Sequence, residues 1–199
     1  MVDVVTFFIM LFGLGISFWN AYATGYNSVI LQYYKGKFKE FFTIANSFSL
    51  VLAFAGAAYY LSYFIAYIMA YLGKISYDVV MLISAYSFVV FGTLLVFTGV
   101  VIAIESILIA YLRRDFWSIF VAIYNSLVSI LNLYTYFNAI GDAYNLIKGS
   151  GDDEDSKNKA LMIVLLSAII SIILVYLFYK KGKEKAEKEI SHVKGAKAL

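Results

Sequence analysis

Residues 160–179, ALMIVLLSAIISIILVYLFY, form a run of 20 residues without a charged side chain, bordered by lysines on both sides. Twenty residues of α-helix rise about 30 Å, which is the thickness of the hydrocarbon core of a bilayer. Short charged joints divide the rest of the chain into four more apolar segments, at 4–34, 41–72, 78–112 and 116–147. The sequence therefore predicts an all-α integral membrane protein, a bundle of five long transmembrane helices.

The composition of the 199-residue chain agrees with this class. Apolar residues make up 62% and charged residues 15%, whereas soluble domains average about 45–50% and about 25%. The chain has no proline, so we expect spanning helices without the usual proline kinks. It has no cysteine and one histidine, which excludes disulfides, iron–sulfur clusters and histidine-rich metal sites. No cofactor and no metal site are expected.

The sequence contains no complete catalytic motif. Tyr77-Asp78, together with AIGD at 139–142, is similar to the paired motifs of intramembrane aspartyl proteases. The first glycine of the second motif is missing, however, and both aspartates lie near helix ends. P-loop, GxSxG and HExxH motifs are absent from the sequence, and nothing in it indicates nucleic-acid binding. We therefore expect no catalytic residues and no enzymatic activity.

Basic residues alternate between the two sides of the predicted bundle. An excess of lysine and arginine marks cytoplasmic loops, so the distribution predicts a multi-pass protein of the cell membrane with its N-terminus outside. Residues 1–179 then form the transmembrane domain. Residues 180–199 form a basic cytoplasmic tail that we predict to be helical. Its charge serves as a topogenic anchor, or it binds anionic lipid headgroups or an acidic partner. The acidic joint at 148–159 is predicted to be a flexible outer connection. The basic residues of the two cytoplasmic joints are Lys35, Lys37, Lys39, Arg113 and Arg114.

Two of the joints resemble each other. SVILQYYKGKFKEFF at 28–42 aligns without gaps with SILIAYLRRDFWSIF at 106–120. A direct repeat of a two-helix hairpin, followed by one more helix, explains this similarity. Chance also explains it, because apolar segments draw on a small alphabet. A direct repeat relates its halves by an axis along the membrane normal, an arrangement that favours a scaffold or an oligomeric pore.

Glu105 is the acidic residue that lies well inside an apolar run. A carboxylate there must be protonated, paired or facing water, so it is a candidate functional residue. The alternatives are that it pairs with Arg113 or hydrogen-bonds neutrally between helices. Other amides and hydroxyls are predicted to share its level or to continue the polar surface, either as a path or by locking helices together. These residues are Asn27, Asn46, Asn125, Ser129, Asn132 and Ser171.

The fourth segment is the most polar of the five. Its polar stripe cannot face lipid, which offers no hydrogen-bond partners, so we expect the fourth helix to be central or to line a pore. The first segment carries a comparable line, which makes the two helices candidate neighbours or oligomer contacts. The stripes comprise Asn125, Ser129, Asn132 and Tyr136 on the fourth helix, and Gly13, Ser17, Asn20 and Thr24 on the first.

These features favour a small polytopic membrane protein that acts as an oligomeric channel or translocation subunit. The moving species would be ions, protons or another polar solute or polymer, and Glu105 with the nearby asparagines would form the path. The alternative is a non-catalytic structural or assembly subunit of a larger membrane complex. The expected partners are the lipid bilayer, further copies of the chain or other membrane subunits. A single glutamine and no cysteine are typical of a thermophile.

Overall fold

The computed structural model describes residues 4–149 and 153–196, which form five helices. All five are long and apolar enough to cross a membrane, which confirms the predicted all-α, multi-pass class. Residues 1–3 and 150–152, and the tail residues 197–199, lie outside the described residues. The helices are α1 (Val4–Tyr33), α2 (Lys39–Tyr71), α3 (Tyr77–Arg113), α4 (Phe116–Gly149) and α5 (Glu154–Ala196).

The fifth helix begins earlier than predicted. It starts at Glu154, inside the joint that the sequence predicts to be a flexible connection. Asp153 explains this start, because its carboxylate accepts a hydrogen bond from the backbone N–H of Ser156 at 3.1 Å, as an N-cap does. The same partner lowers the pKa of the Asp153 carboxyl. The prediction for the joint is therefore wrong from Glu154 onward.

The C-terminal end of α5 continues without a break through the charged segment to Ala196. Ion pairs between residues four apart support the helix there. Each is exposed and contributes little by itself, but none competes with helix formation. The pairs are Lys180–Glu184, Lys183–Glu187 and Lys185–Glu189.

Helices α1 and α5 lie side by side and run in the same direction. The ring of Phe18 stacks on that of Phe178 with centroids 4.9 Å apart. Further along, the Tyr26 hydroxyl donates a hydrogen bond to the Glu189 carboxylate at 2.6 Å. The charged segment of α5 therefore runs along the last part of α1 and does not project beyond it.

Two glycines allow this close packing of α1 and α5. A Cβ atom added at Gly25 would overlap the backbone carbonyl of Tyr179, and one at Gly182 would overlap that of Tyr22. Small residues let helix backbones approach when lipid surrounds them, because van der Waals contact then drives association. The α1–α5 interface thus depends on two positions that have no side chain.

Helix α2 occupies the middle of the bundle and contacts α1, α3 and α5. A run of small buried residues at its centre permits these contacts on several sides. The main buried cluster joins α2 to the first half of α3 and to α5, with Ile83 fully buried within it. The small residues of α2 are Ala53, Ala55, Gly56, Ala57 and Ala58.

Helix α3 changes partners halfway along its length. The segment Tyr77–Ser87 packs on α5, whereas no Cα atom of Thr93–Arg113 lies within 8 Å of a described residue of α5, and this second half packs along α4. A π-helical turn at Phe88–Gly92 separates the halves. A π turn holds one residue more than an α turn and often marks a functional site. The absence of proline therefore does not make α3 a uniform α-helix.

Helix α4 lies at the edge of the bundle. Within the described residues it packs against α3 alone. Only 11% of the residues in its most apolar stretch are buried. The expectation of a central place for the fourth helix is therefore wrong, and its alternative, that the helix lines a pore, stays a prediction. Because no Cα atom of α1 lies within 8 Å of a described residue of α4, the two helices are not neighbours within one chain, and a contact between copies stays a prediction. Two members of the polar stripe of α4 bond to α3 instead, Asn125 to Ser106 and Tyr136 to Thr93.

A buried hydrogen bond joins α2 to α3 just before the π turn. The hydroxyls of Ser62 and Ser87 are 2.6 Å apart, and both residues are fully buried. We expect Ser62→Ala and Ser87→Ala each to lower the free energy of unfolding by about 0.5–1.5 kcal/mol. The double variant should lose less free energy of unfolding than the sum of the two single variants, because the first change has already broken the hydrogen bond. SDS titration of the purified protein measures these energies, and strictly additive losses would show that the bond contributes nothing.

Candidate functional site

A groove runs along the bundle between α1 and α3. No Cα atom of α1 comes within 8 Å of one in α3 in the described part of the chain, and α2 packs against both. Helix α2 therefore forms the floor of the groove, and α1 and α3 form its walls. Two cavities lie in it, which we call the central cavity and the terminal cavity.

The central cavity has a volume of about 460 Å³ and lies midway along the helices. Helix α4 contributes its polar stripe to one side, opposite the polar line of α1. Ile16 and Asn132 both line the cavity and are exposed, so the cavity opens to the surface between α1 and α4. Its polar lining residues are Ser17, Asn20, Tyr59, Tyr60, Asn125, Ser129, Asn132, Thr135 and Tyr136.

Several of these polar groups are already hydrogen-bonded within the chain. The Asn125 amide donates to the Ser106 hydroxyl at 2.6 Å, and the Tyr136 and Thr93 hydroxyls are 2.7 Å apart. Both bonds fix α4 to α3. The Asn20 and Asn132 side chains have no hydrogen-bond partner among residues 4–149 and 153–196. Two amides on opposite sides of the cavity are therefore free to bind water or a polar ligand.

The π turn shapes one wall of the central cavity. Phe88 and Gly92, the first and last residues of the turn, both line it. The Phe88 ring lies 5.7 Å from that of Tyr136. These two rings and that of Tyr60 form one end of the cavity lining. Gly99 also lines the cavity, and a Cβ atom there would meet nothing within 4 Å. The cavity thus has an aromatic end and an open wall.

The terminal cavity has a volume of about 420 Å³ and lies nearer the joints that connect α1 to α2 and α3 to α4. It brings together three of the residues singled out from the sequence, Asn27, Asn46 and Glu105. Arg113 stands at the joint end of the cavity. The remaining walls are mostly apolar and comprise Ile30, Leu31, Tyr34, Phe42, Ile109 and Leu112.

Glu105 is half-buried and makes no hydrogen bond or ion pair with any described residue. Arg113, its expected alternative partner, pairs instead with Asp115, with 3.0 Å between Nε and the carboxylate. Asn46 is engaged, because its amide donates to the backbone carbonyl of Thr24 at 3.1 Å. Glu105 is therefore available to a group that enters the cavity.

The joint after α3 has a fixed geometry. Arg114 adopts φ 55° and ends the helix. The Asp115 carboxylate accepts hydrogen bonds from the Ser118 backbone N–H at 2.9 Å and from its hydroxyl at 2.8 Å, which caps α4. These bonds lower the pKa of the Asp115 carboxyl. The exposed basic residues of the two joints at this end of the bundle are Lys35, Lys37, Lys39, Arg113 and Arg114.

Ser171 is placed apart from the other predicted site residues. It is fully buried in α5 and lines neither cavity, and its hydroxyl has no hydrogen-bond partner in the described part of the chain. Counting back from Lys180 puts Ser171 at the level of Glu105. The charged end of α5 runs beside α1, however, so Ser171 lies farther from the joints than that count implies.

Of the glycines that line the central cavity, the sequence pattern indicated Gly13 but not the other three. Gly56 on the floor and Gly92 and Gly99 on α3 border the central cavity. Glycine is unfavourable inside a helix, so an interior glycine indicates a close approach or an open space. Gly92 and Gly99 are seven residues apart, close to two helical turns, and that spacing could have indicated a shared face.

Comparisons with models of protein families, with curated proteins and with solved structures find no match to this chain.

Proposed function

We propose that this protein is a transport subunit in which the groove between α1 and α3 carries ions, protons or another polar solute or polymer through the membrane. The observation that carries the proposal is that the central and terminal cavities lie in line along one face of α1, from Gly13 to Leu31. Eighteen residues of helix rise about 27 Å. The groove therefore extends from the joint end of the bundle across more than half of a hydrocarbon core about 30 Å thick.

The lining of the groove suits polar cargo. The amides of Asn20, Asn27 and Asn132 offer both donors and acceptors, which lipid chains do not. Glu105 is the acidic side chain among the lining residues of both cavities, and Arg113 is the basic one, placed at the joint end. A carboxylate inside the groove attracts cations and repels anions. Protons and small cations are therefore the favoured ionic cargo.

The open side of the groove supports oligomerisation. Ile16 and Asn132 border the opening between α1 and α4, which do not contact each other. Polar groups at such an opening need a cover other than lipid. We propose that a second copy of the chain or another membrane subunit supplies it.

Glu105 provides the direct test of the path. Glu105→Gln keeps the size of the side chain and removes its charge, so we expect proton or potassium flux in proteoliposomes to fall about tenfold, a rise of about 1.4 kcal/mol in the barrier. Glu105→Leu should lower the flux further, because it also removes the hydrogen-bonding oxygens. A pH-sensitive dye and a potassium electrode measure the two fluxes.

Asp142→Asn is the matched control for this charge removal. Asp142 is exposed on α4 and lines neither cavity, so its variant should conduct like the unchanged protein. Unchanged flux in Glu105→Gln, together with an intact complex in Glu105→Leu, would contradict the proposed path.

The alternative function, a structural or assembly subunit, is favoured by the exposure of α4. This helix contacts α3 alone among the described residues and leaves a long apolar face for another membrane protein. Asn125 and Tyr136 are bonded within the chain, whereas Asn132 is free to bond a partner. An assembly subunit predicts that Asn132→Leu releases a co-purifying protein, and the native mass of the purified complex distinguishes this function from a homo-oligomeric channel.

Three finer features belong to the same proposal. We propose that the protein lies in the cell membrane with its N-terminus outside, because this orientation leaves most basic residues in the cytoplasm. The direct hairpin repeat also stays a proposal. It agrees with the packing of α1 on α2 and of the second half of α3 on α4. A cysteine placed in either basic joint tests the orientation. If these joints face the cytoplasm, the cysteine should react only with membrane-permeant thiol reagents.

A further inference from the structure

We propose that the terminal cavity binds a phospholipid whose headgroup carries a primary amine, with the phosphate at Arg113 and the ammonium group at Glu105. This site goes beyond transport and does not depend on it, because a lipid can occupy the cavity whether or not a solute moves through the groove. Four features of the cavity support the proposal: its level in the bundle, its apolar walls, its basic mouth and its unpartnered carboxylate.

The level of the cavity follows from the contact between α1 and α5. The apolar run of α5 ends before Lys180, and Gly182 already lies against the backbone of Tyr22. Tyr26 is bonded to Glu189, deep in the charged segment, and the cavity residue Asn27 follows directly. The charged face of α5 requires water or headgroups around it. The terminal cavity therefore lies at the level of lipid headgroups.

The walls of the cavity suit the rest of a lipid molecule. Ile30, Leu31, Ile109 and Leu112 line it, and Ile30 and Leu112 are 40% and 43% exposed. The cavity thus opens sideways between apolar side chains toward the surrounding lipid. A free phosphate or a free amine would leave these walls in contact with water, whereas a glycerol backbone and the first carbons of an acyl chain would cover them.

The mouth of the cavity suits a phosphate. Asp115 holds the Nε atom of Arg113, and the two terminal nitrogen atoms of this guanidinium have no partner in residues 4–149 and 153–196. A guanidinium presents paired N–H donors that match phosphate oxygens. Lys35, Lys39 and Arg114 add positive charge at the same end of the bundle, and basic pockets between membrane helices bind anionic headgroups.

The interior of the cavity suits an ammonium group. The Glu105 carboxylate and the Asn27 amide have no partner in the described part of the chain, and both line the cavity. Glu105 and Arg113 are eight residues apart on α3, which separates their Cα atoms by about 12 Å along the helix. The Arg113 side chain reaches Asp115 at the joint, so its guanidinium lies at the mouth of the cavity and the Glu105 carboxylate lies deeper inside. The two charges are placed to hold the two ends of a zwitterionic headgroup.

Lipid binding to the delipidated protein tests the site. Native mass spectrometry in detergent compares phosphatidylethanolamine with phosphatidylcholine, which has the same phosphate but no N–H donor, and with phosphatidic acid, which has no amine. We expect the unchanged protein to bind phosphatidylethanolamine about tenfold more tightly than either, the effect of one charge-assisted hydrogen bond. Glu105→Gln should remove this preference, and Arg113→Ala should weaken the binding of all three lipids.

Controls separate the lipid site from a soluble-ligand site and from the path. Asp142→Asn should keep the lipid preference. Equal binding of the amine and choline lipids, or a preference that survives in Glu105→Gln, would overturn the proposal. Competition by free phosphoethanolamine as strong as that by the lipid would also overturn it, because the apolar walls would then contribute nothing. Because this experiment measures lipid binding, its outcome does not depend on whether the protein conducts ions. A change in ion flux bears only on the proposed function.

Discussion

Gly25→Ala is expected to lower the free energy of unfolding by about 1–3 kcal/mol, the usual cost of forcing extra volume into a packed interface. A Cβ atom at Gly25 would lie 2.8 Å from the carbonyl carbon of Tyr179 and closer still to its oxygen. A backbone cannot rotate away as a side chain can, so α1 and α5 must separate. Gly182→Ala should act in the same direction, because its Cβ atom would meet the backbone of Tyr22.

Gly15→Ala is the matched control on the same helix. A Cβ atom at Gly15 meets nothing within 4 Å, so alanine there should raise stability by about 0.5–1 kcal/mol through its better helix propensity. The two variants add the same methyl group to α1, and we expect opposite signs. SDS titration of each purified variant measures the energies. Equal effects at Gly15 and Gly25 would contradict the close α1–α5 interface.

Gly99→Trp is expected to reduce transport in proteoliposomes about tenfold or more. A rise of about 1.4 kcal/mol in the barrier to transport is enough for that factor. Gly99 lines the central cavity, and the space beside it is open. A large ring at this position can therefore fill the cavity without displacing the backbone. The expected result is a folded protein with a blocked groove, measured by flux together with thermal unfolding.

Gly15→Trp tests whether the block is specific to the cavity. Gly15 is exposed and does not line either cavity, so a ring there should face lipid and leave the flux unchanged. If Gly99→Trp conducts like the unchanged protein and remains as stable, the central cavity is not part of the path. A proportional loss of flux and of stability in both variants would also argue against it.

The number and type of the helices could be predicted because they depend on local properties of the chain. A long apolar run between charged joints must cross the bilayer as a helix. The position of α4 could not be predicted in the same way. Its polar stripe requires polar surroundings, and a cavity at the edge of the bundle meets that requirement as well as a central place does. The π turn was missed because no proline marks it.

For the candidate site, the level of each residue along its helix could be predicted better than the direction in which it faces. Asn27, Asn46 and Glu105 lie at known distances from their joints, and a fixed rise per residue sets their level. Which side chains face each other depends on how the helices pack, which the sequence alone does not specify. Ser171 shows the limit, because the length of α5 beyond Lys180 changes its level relative to α1.

The π turn of α3 has a geometric consequence. Among the described residues α4 packs only on α3, mainly along the part after Gly92, and that part is itself held against α2. One extra residue turns the face of a helix by about 100°. The turn at Phe88–Gly92 therefore sets which side of Thr93–Arg113 receives α4, and with it the side on which the bundle opens toward α1.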